Sequence, residues 1–282
     1  MELPHLCVTV DLEEWYHTLW FDAGEVVNRH CGGKYPKGGF LGPLKEILAL
    51  LRRHRARATF FVLKEIAEGF PEAVRQVHDE GHEVGSHGYR HGDLSADPKF
   101  EEKEAETRRL LCSIVGEGVR GFRAPNLKVN GDMIDSLGRI GYSFDSSIMP
   151  SVRIPGWYGG FAPQHPYKPS RLDPRRADGG SGFVEVPLLV FPGLRLPAGA
   201  GWFVRNLGAS YVRAAAEMQL KLKRPAILYV HPWEAAEDPG FPEVPGHVFR
   251  RVGRYVLGAL EVLLSELDAK KATVSEMLQE WS

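Results

Sequence analysis

Short apolar runs alternate along the first half of the chain with longer stretches in which apolar positions recur every three or four residues. Residues 6–10 (Leu-Cys-Val-Thr-Val) form the first buried-strand run, followed by a Gly- and aromatic-containing loop to about Phe40. A helix is predicted over 43–54, with Leu44, Ile47, Leu48 and Leu51 at helical spacing. Residues 58–63 read as a strand, 71–80 as a helix with Pro71 in its first turn, and 82–86 as a strand. A charged amphipathic helix over 99–114, a strand over 119–123, a helix over 131–140 and a strand over 142–145 continue the pattern. It breaks down between Ser151 and about Arg205, a Pro- and Gly-rich segment holding a short strand at 183–187 and a loop at 197–203. A helix over 206–223, a strand over 226–230, a helix over 248–267 and a last strand-helix pair over 271–281 complete the chain. No internal repeat or low-complexity tract interrupts it.

This βαβα alternation specifies an α/β protein with a mostly parallel sheet, open or closed into a barrel, whose C-terminal strand ends carry the chemistry. With 282 residues the chain fits one catalytic domain over 1–282, in which 151–205 is an insertion lying over one rim as a lid or binding loop. The composition, 43% hydrophobic and 25% charged, excludes extensive disorder. A net charge of −1 gives no electrostatic footprint for nucleic acid or an anionic membrane over the chain as a whole. Cys7, Cys31 and Cys112 are too few and too scattered for a disulfide framework. No apolar run reaches membrane-spanning length and no leader pattern opens the sequence, so the expectation is a cytoplasmic protein.

The chemistry concentrates where predicted strands end. In the segment Gly-Ser-His-Gly-Tyr-Arg-His, His87 and His91 stand four positions apart, a spacing that lets two imidazoles bind one metal ion. Asp11 and Glu13 follow the first strand two residues apart and leave it on one face. Two imidazoles and one carboxylate with open positions make a catalytic type of site. Glu13 is read as the ligand and Asp11 as the base that takes the proton of an activated water. Arg123 closes another strand and is placed to hold Asp11 ionised; Pro125 fixes the turn after it, and the Asn126 backbone N–H is a candidate oxyanion donor. His231 ends the apolar strand at 226–230 and is read as a general acid, with Asp145 orienting its ring.

In these segments the chain resembles the polysaccharide deacetylases, carbohydrate esterase family four of the NodB type. Five motifs occur in the family's order: 9–13 (Thr-Val-Asp-Leu-Glu), 86–91, 123–126 (Arg-Ala-Pro-Asn), 145–147 (Asp-Ser-Ser) and 228–231 (Leu-Tyr-Val-His). The resemblance implies a distorted (β/α)7–8 barrel. It also implies one divalent metal ion, Zn²⁺ first with Co²⁺, Ni²⁺ or Mn²⁺ as alternatives, bound by Glu13, His87 and His91. Asp11 would be the base, Arg123 its orienting partner and His231 the acid supported by Asp145. The implied reaction is removal of N-acetyl groups from a saccharide containing amino sugars. Departures from the pattern are Leu12 between the two acidic residues, a Glu where the ligand aspartate would stand, Glu14 as a competing ligand, and Asn126 in place of an aromatic. The Asp-x-Glu at 11–13, together with 231–234 (His-Pro-Trp-Glu) and the loop at 199–205, resembles the subgroup associated with exopolysaccharide biosynthesis, which implies membrane association through that pathway. Trp202, Phe203 and Trp233 are candidate sugar-stacking residues. Two other functions fit the same residues less closely: a cyclic amide hydrolase of allantoinase type, and a sugar-binding barrel without turnover. A homo-oligomer is compatible with everything above.

Overall fold

A computed structural model describes residues 4–154, 159–179 and 182–281; positions 155–158 and 180–181 of the 151–205 stretch, and 1–3 and 282 at the ends, lie outside the described residues. The first half runs β1 (His5–Leu12), α1 (Ala23–His30), α2 (Leu41–Arg53), β2 (Thr59–Val62), α3 (Lys64–Gly69), α4 (Pro71–Asp79), β3 (Glu83–Ser86), α5 (Phe100–Val115), β4 (Gly121–Phe122), α6 (Gly131–Ile140) and β5 (Phe144–Asp145). The second half runs β6 (Val184–Glu185), α7 (Gly201–Leu207), α8 (Ala209–Lys221), β7 (Ala226–Val230), α9 (Arg254–Glu266), β8 (Lys270–Lys271) and α10 (Val274–Glu280).

The strands join in the order β6-β5-β4-β3-β2-β1-β7, with β8 also on β1, and every strand pair is parallel. Each residue of β1 is buried, as expected of a central parallel strand covered on both faces and therefore written as a mostly apolar run. The sheet curls as a distorted barrel with helices outside, and its apolar core extends from Leu6 to Met277. The backbone of 186–200 reaches β5 on one side and β7 on the other: Val186 N–H donates to the Asp145 carbonyl (2.8 Å), Leu189 N–H to the Ile227 carbonyl (2.8 Å), and Ala200 pairs with Tyr229. Val186, Leu188, Leu189 and Val190 are buried, so this part of the 151–205 stretch is woven into the wall.

Several elements differ from the sequence pattern for local reasons. The loop before Phe40 contains α1, whose start is capped by Asp22 accepting from the Glu25 N–H (3.0 Å). The single helix expected over 206–223 is two, because Gly208 at φ 101° takes a backbone conformation closed to helices. The loop expected over 197–203 already turns into α7 at Gly201. α9 begins at Arg254 rather than 248, and Val248 and Phe249 instead pack with Val26 and Val244 against Trp15, Trp20 and Trp233.

Glu104 on α5 is fully buried, accepting hydrogen bonds from Ser86 Oγ (2.6 Å) and Tyr142 Oη (2.8 Å). Burial pushes its carboxyl up to about 7 from an ordinary 4.5. The folded chain therefore binds this proton more tightly than the unfolded chain, and the associated stability, complete below the ordinary value, is lost as pH rises through about 7. Glu104→Gln copies the protonated group and is expected to gain ~3 kcal/mol at alkaline pH, and nothing in mild acid, in denaturant unfolding at the two conditions.

Candidate active site and metal centre

All the acidic, basic and imidazole groups singled out in the sequence lie at or just beyond C-terminal strand ends: Asp11 and Glu13 at β1, His87 and His91 after β3, Arg123 after β4, Asp145 at β5 and His231 after β7. The parallel sheet puts these ends on one rim. Glu13 is central. Its Oε2 lies 3.1 Å from His91 Nε2 and 3.7 Å from His87 Nε2, and its Oε1 lies 3.3 Å from His231 Nε2. Asp11 Oδ2 is 4.0 Å from His87 Nε2. Glu13, His87 and His91 each offer an atom within 4.8 Å of the others. Glu13 Oε2 is buried and makes no aligned hydrogen bond although two imidazole nitrogens face it. Ring nitrogens and a carboxylate oxygen aimed at a common point in this way suit a divalent cation of borderline softness.

The surroundings fix each group. His87 Nδ1 donates to the Arg123 carbonyl (2.9 Å), which leaves its Nε2 free for an ion. His91 stacks on His17 (ring centroids 5.6 Å apart, 15° between planes), and His17 bridges the Glu14 N–H (3.1 Å) and the Glu65 carboxylate (2.9 Å). Burial opposes ionisation of Glu13, but the charges of His91 and His231 outweigh it and hold the carboxyl well below the usual range. Arg123, with no exposed surface, gives one N–H to Asp11 Oδ1 (2.8 Å) and is itself held by Thr9 Oγ1 (2.7 Å), the Ser146 carbonyl (2.8 Å) and Ser146 Oγ (2.8 Å). Asp11 thus keeps Oδ2 toward the centre and Oδ1 on a fixed cation.

Two sequence expectations are corrected. Glu14 does not compete for an ion: its Oε1 accepts from the Gly38 (2.5 Å) and Gly39 (3.0 Å) N–H groups and ties the loop before α2 to β1. Asp145 does not orient His231. The carboxylate at the His231 ring is Glu234, whose Oε2 accepts from the His231 backbone N–H (2.9 Å) and faces Nδ1 (3.1 Å). Glu234 is held in turn by the buried Arg205 (Nε to Oε1, 2.7 Å), and a Cβ on Gly201 would overlap its carboxyl at 2.0 Å. Burial depresses the His231 pKa, yet the Glu13 and Glu234 charges more than compensate and raise it to about 9, so the ring carries a proton at neutral pH. Asp145 accepts from Ser147 Oγ (2.6 Å) and sits beside Glu185 across the β5–β6 register; burial raises both carboxyls, and a shared proton relieves their repulsion.

The cleft over the centre is lined by Asp11, Glu13, His87, His91 and His231 together with Asn126, Tyr229 and Trp233, and also by Leu19 and Trp20. Asn126 sits at φ 55° with its Nδ2 buried and unpaired among the described residues. Pro125 lies behind it, against the Gly88 turn. Trp233 stacks on His231 (5.4 Å, 19°). Trp202 is not on the cleft surface but backs Trp20 (6.4 Å, 7°), and Phe203 is buried. Trp20 and His17 escaped the sequence reading, and Arg205 and Glu234 entered it only within the 199–205 and 231–234 segments, with no role assigned. For Glu234 a signal existed, since a Glu three residues after a helix-start residue marks a capping box.

Residues 19–144 match the sequence model of the polysaccharide deacetylase family, and 146–268 match that of a domain of unknown function, DUF3473. Residues 19–144 carry a polysaccharide deacetylase domain. Among curated relatives of this deacetylase domain, a peptidoglycan-N-acetylglucosamine deacetylase of Bacillus cereus is 34% identical over 82 residues, covering 28% of this chain and 30% of its own. A chitooligosaccharide deacetylase of Rhizobium leguminosarum bv. trifolii is 39% identical over 117 residues, covering 39% of this chain and 48% of its own. The chain thus spans less than half the length of either. Two solved structures share the fold at a TM-score of 0.66. One is a Mycobacterium smegmatis protein assigned as a polysaccharide deacetylase (20% identity, 99% of this chain and 90% of that one); the other is the Puue allantoinase (16% identity, 98% and 89%).

Removing the carboxylate at the focus of the Glu13, His87 and His91 cluster should separate the two glutamates. Glu13→Ala is expected to weaken Zn²⁺ binding by at least about a hundredfold in calorimetry, whereas Glu14→Ala keeps the affinity and loosens the 38–39 loop. Arg205→Met strands a buried Glu234 charge and is expected to cost ~3–5 kcal/mol in unfolding experiments.

Proposed function

We propose that this protein is a metal-dependent hydrolase that removes N-acetyl groups from a saccharide containing amino sugars. The observation that carries the reading is the convergence of Glu13, His87 and His91 beside an Arg-held Asp11 and a protonated His231. The relatives named as peptidoglycan-N-acetylglucosamine deacetylase and chitooligosaccharide deacetylase support the acetyl amide as the bond broken.

A divalent ion held by Glu13, His87 and His91, Zn²⁺ by the donor set, would supply Lewis acidity toward the acetyl carbonyl and a water. Asp11 is the base: Oδ2 faces the centre, and Arg123 on Oδ1 fixes its direction. As water adds to the carbonyl carbon, its proton passes to Asp11. His231 is the acid, because its Nδ1 is anchored on Glu234 and its Nε2 turns to the cleft, where it hands a proton to the departing amine. Trp233 and Trp20 offer ring faces to a sugar, and the unpaired Asn126 Nδ2 offers a donor. The products are acetate and a free amino sugar.

Acetate release from N-acetylglucosamine oligomers tests this directly. Chelation should abolish turnover and added Zn²⁺ restore it. Asp11→Asn is expected to lower kcat by about 10²–10⁴-fold with the metal content unchanged. Ring opening of hydantoin-like amides without acetate release would replace the reading by the allantoinase type, and sugar binding without turnover, indifferent to His231→Ala, by a binding barrel.

A further inference from the structure

At the opposite end of β7 from the cleft, three segments meet. The pairing of Ala200 with Tyr229, and of Val190 with Pro197, makes 189–198 a hairpin whose tip, Gly193–Leu196, lies beside the residues that precede β7. Arg195 at the tip donates to the Pro150 (3.0 Å) and Ala162 (2.6 Å) carbonyls, and its guanidinium covers the Phe161 ring (5.5 Å). The C-terminal turn of α8 and the residues after it, Lys-Leu-Lys-Arg at 221–224, complete the cluster; burial and the nearby Arg224 charge together depress the Arg195 pKa.

Leu194 is 68% exposed, Phe161 61% and Leu222 52%, with Leu196 and Met218 also in water. Large aliphatic and aromatic groups gathered at one protruding end mark an interaction surface. Around them stand Arg195, Lys221, Lys223 and Arg224, none within ion-pair distance of a carboxylate among the described residues, and Glu217, the nearby acid on α8, is taken by Arg213 (3.4 Å). Phe161, Arg195 and Lys223 all hold positive φ (63°, 53° and 57°), a strained backbone that local packing must maintain.

We propose that this end of the barrel docks on an anionic lipid bilayer, with Leu194, Leu196 and Leu222 entering the headgroup region and Lys221, Lys223 and Arg224 meeting lipid phosphates and carboxylates, while Arg195, held by the Pro150 and Ala162 carbonyls and lying over Phe161, braces the tip. Charge complementarity selects this occupant: cations with no carboxylate partner among the described residues surround exposed apolar side chains, whereas protein interfaces are depleted of Lys. The cleft faces away from the surface, so docking and catalysis are separable.

The full chain is sedimented with vesicles of phosphatidylserine and phosphatidylcholine, and with phosphatidylcholine alone, at low and high salt. Binding only to the anionic vesicles, lost at high salt, is expected. Lys221→Glu with Lys223→Glu should lower the partition coefficient about fivefold or more per cation, and Leu194→Ser with Leu196→Ser should lower it further, with the unfolding temperature and activity on a soluble substrate unchanged. No binding to anionic vesicles, binding indifferent to these substitutions, or self-association in solution that Leu194→Ser abolishes without any vesicle binding would each overturn the proposal.

Discussion

Two carboxylates two residues apart, Asp11 and Glu13, are each about 2% exposed at the end of the central strand. Taking two like charges out of water together costs several kcal/mol per ion unless cations and donors meet them. Much of the rim is arranged to do so. Arg123 reaches Asp11 from β4 and is gripped by the β5 end, while imidazoles from the β3 and β7 ends crowd Glu13. Four strand ends are thus tied to one acidic pair, and the site is inseparable from the curvature of the sheet that brings them within reach.

The same device occurs a second time. Arg205 and Glu234 form another buried Arg–carboxylate pair, and Glu234 spends its other oxygen on His231. Each of the two proposed proton-transfer groups is therefore backed by a guanidinium: Asp11 directly by Arg123, His231 at one remove by Arg205. Asp11 is kept facing inward, and the His231 pKa is held up with its Nε2 turned to the cleft. Rigid backing of this kind fixes direction as well as charge, which is what proton transfer across a short gap requires. The second pair comes from the region that matches the domain of unknown function, so both matched regions contribute to one cleft.

The region after β5 shows how far local pattern can be trusted. Its short apolar pieces carry no period, because each touches the core for only a few residues before the chain turns away. Val186, Leu188 and Leu189 nevertheless lie in the wall, bonded to β5 on one side and β7 on the other. Periodicity over many residues arises only where one face of a regular element stays buried, and an irregular segment spanning a gap has no such face.

The sequence by itself determined the strand-helix alternation, the parallel sheet, and the rim residues Asp11, Glu13, His87, His91, Arg123 and His231, since apolar runs that end in charged groups mark strand termini whichever way the sheet closes. It also determined the helix over 131–140, framed by Asn130 and Gly141, to the residue. Only the tertiary structure decided which carboxylate serves which partner. Glu14 turns to the Gly38 and Gly39 amides, Asp145 to Glu185, and Glu234 to His231, because these choices depend on distances between segments far apart in the chain. Spacing along a chain limits which groups share an element; the energy of a buried charge depends on what the fold brings within about 4 Å of it.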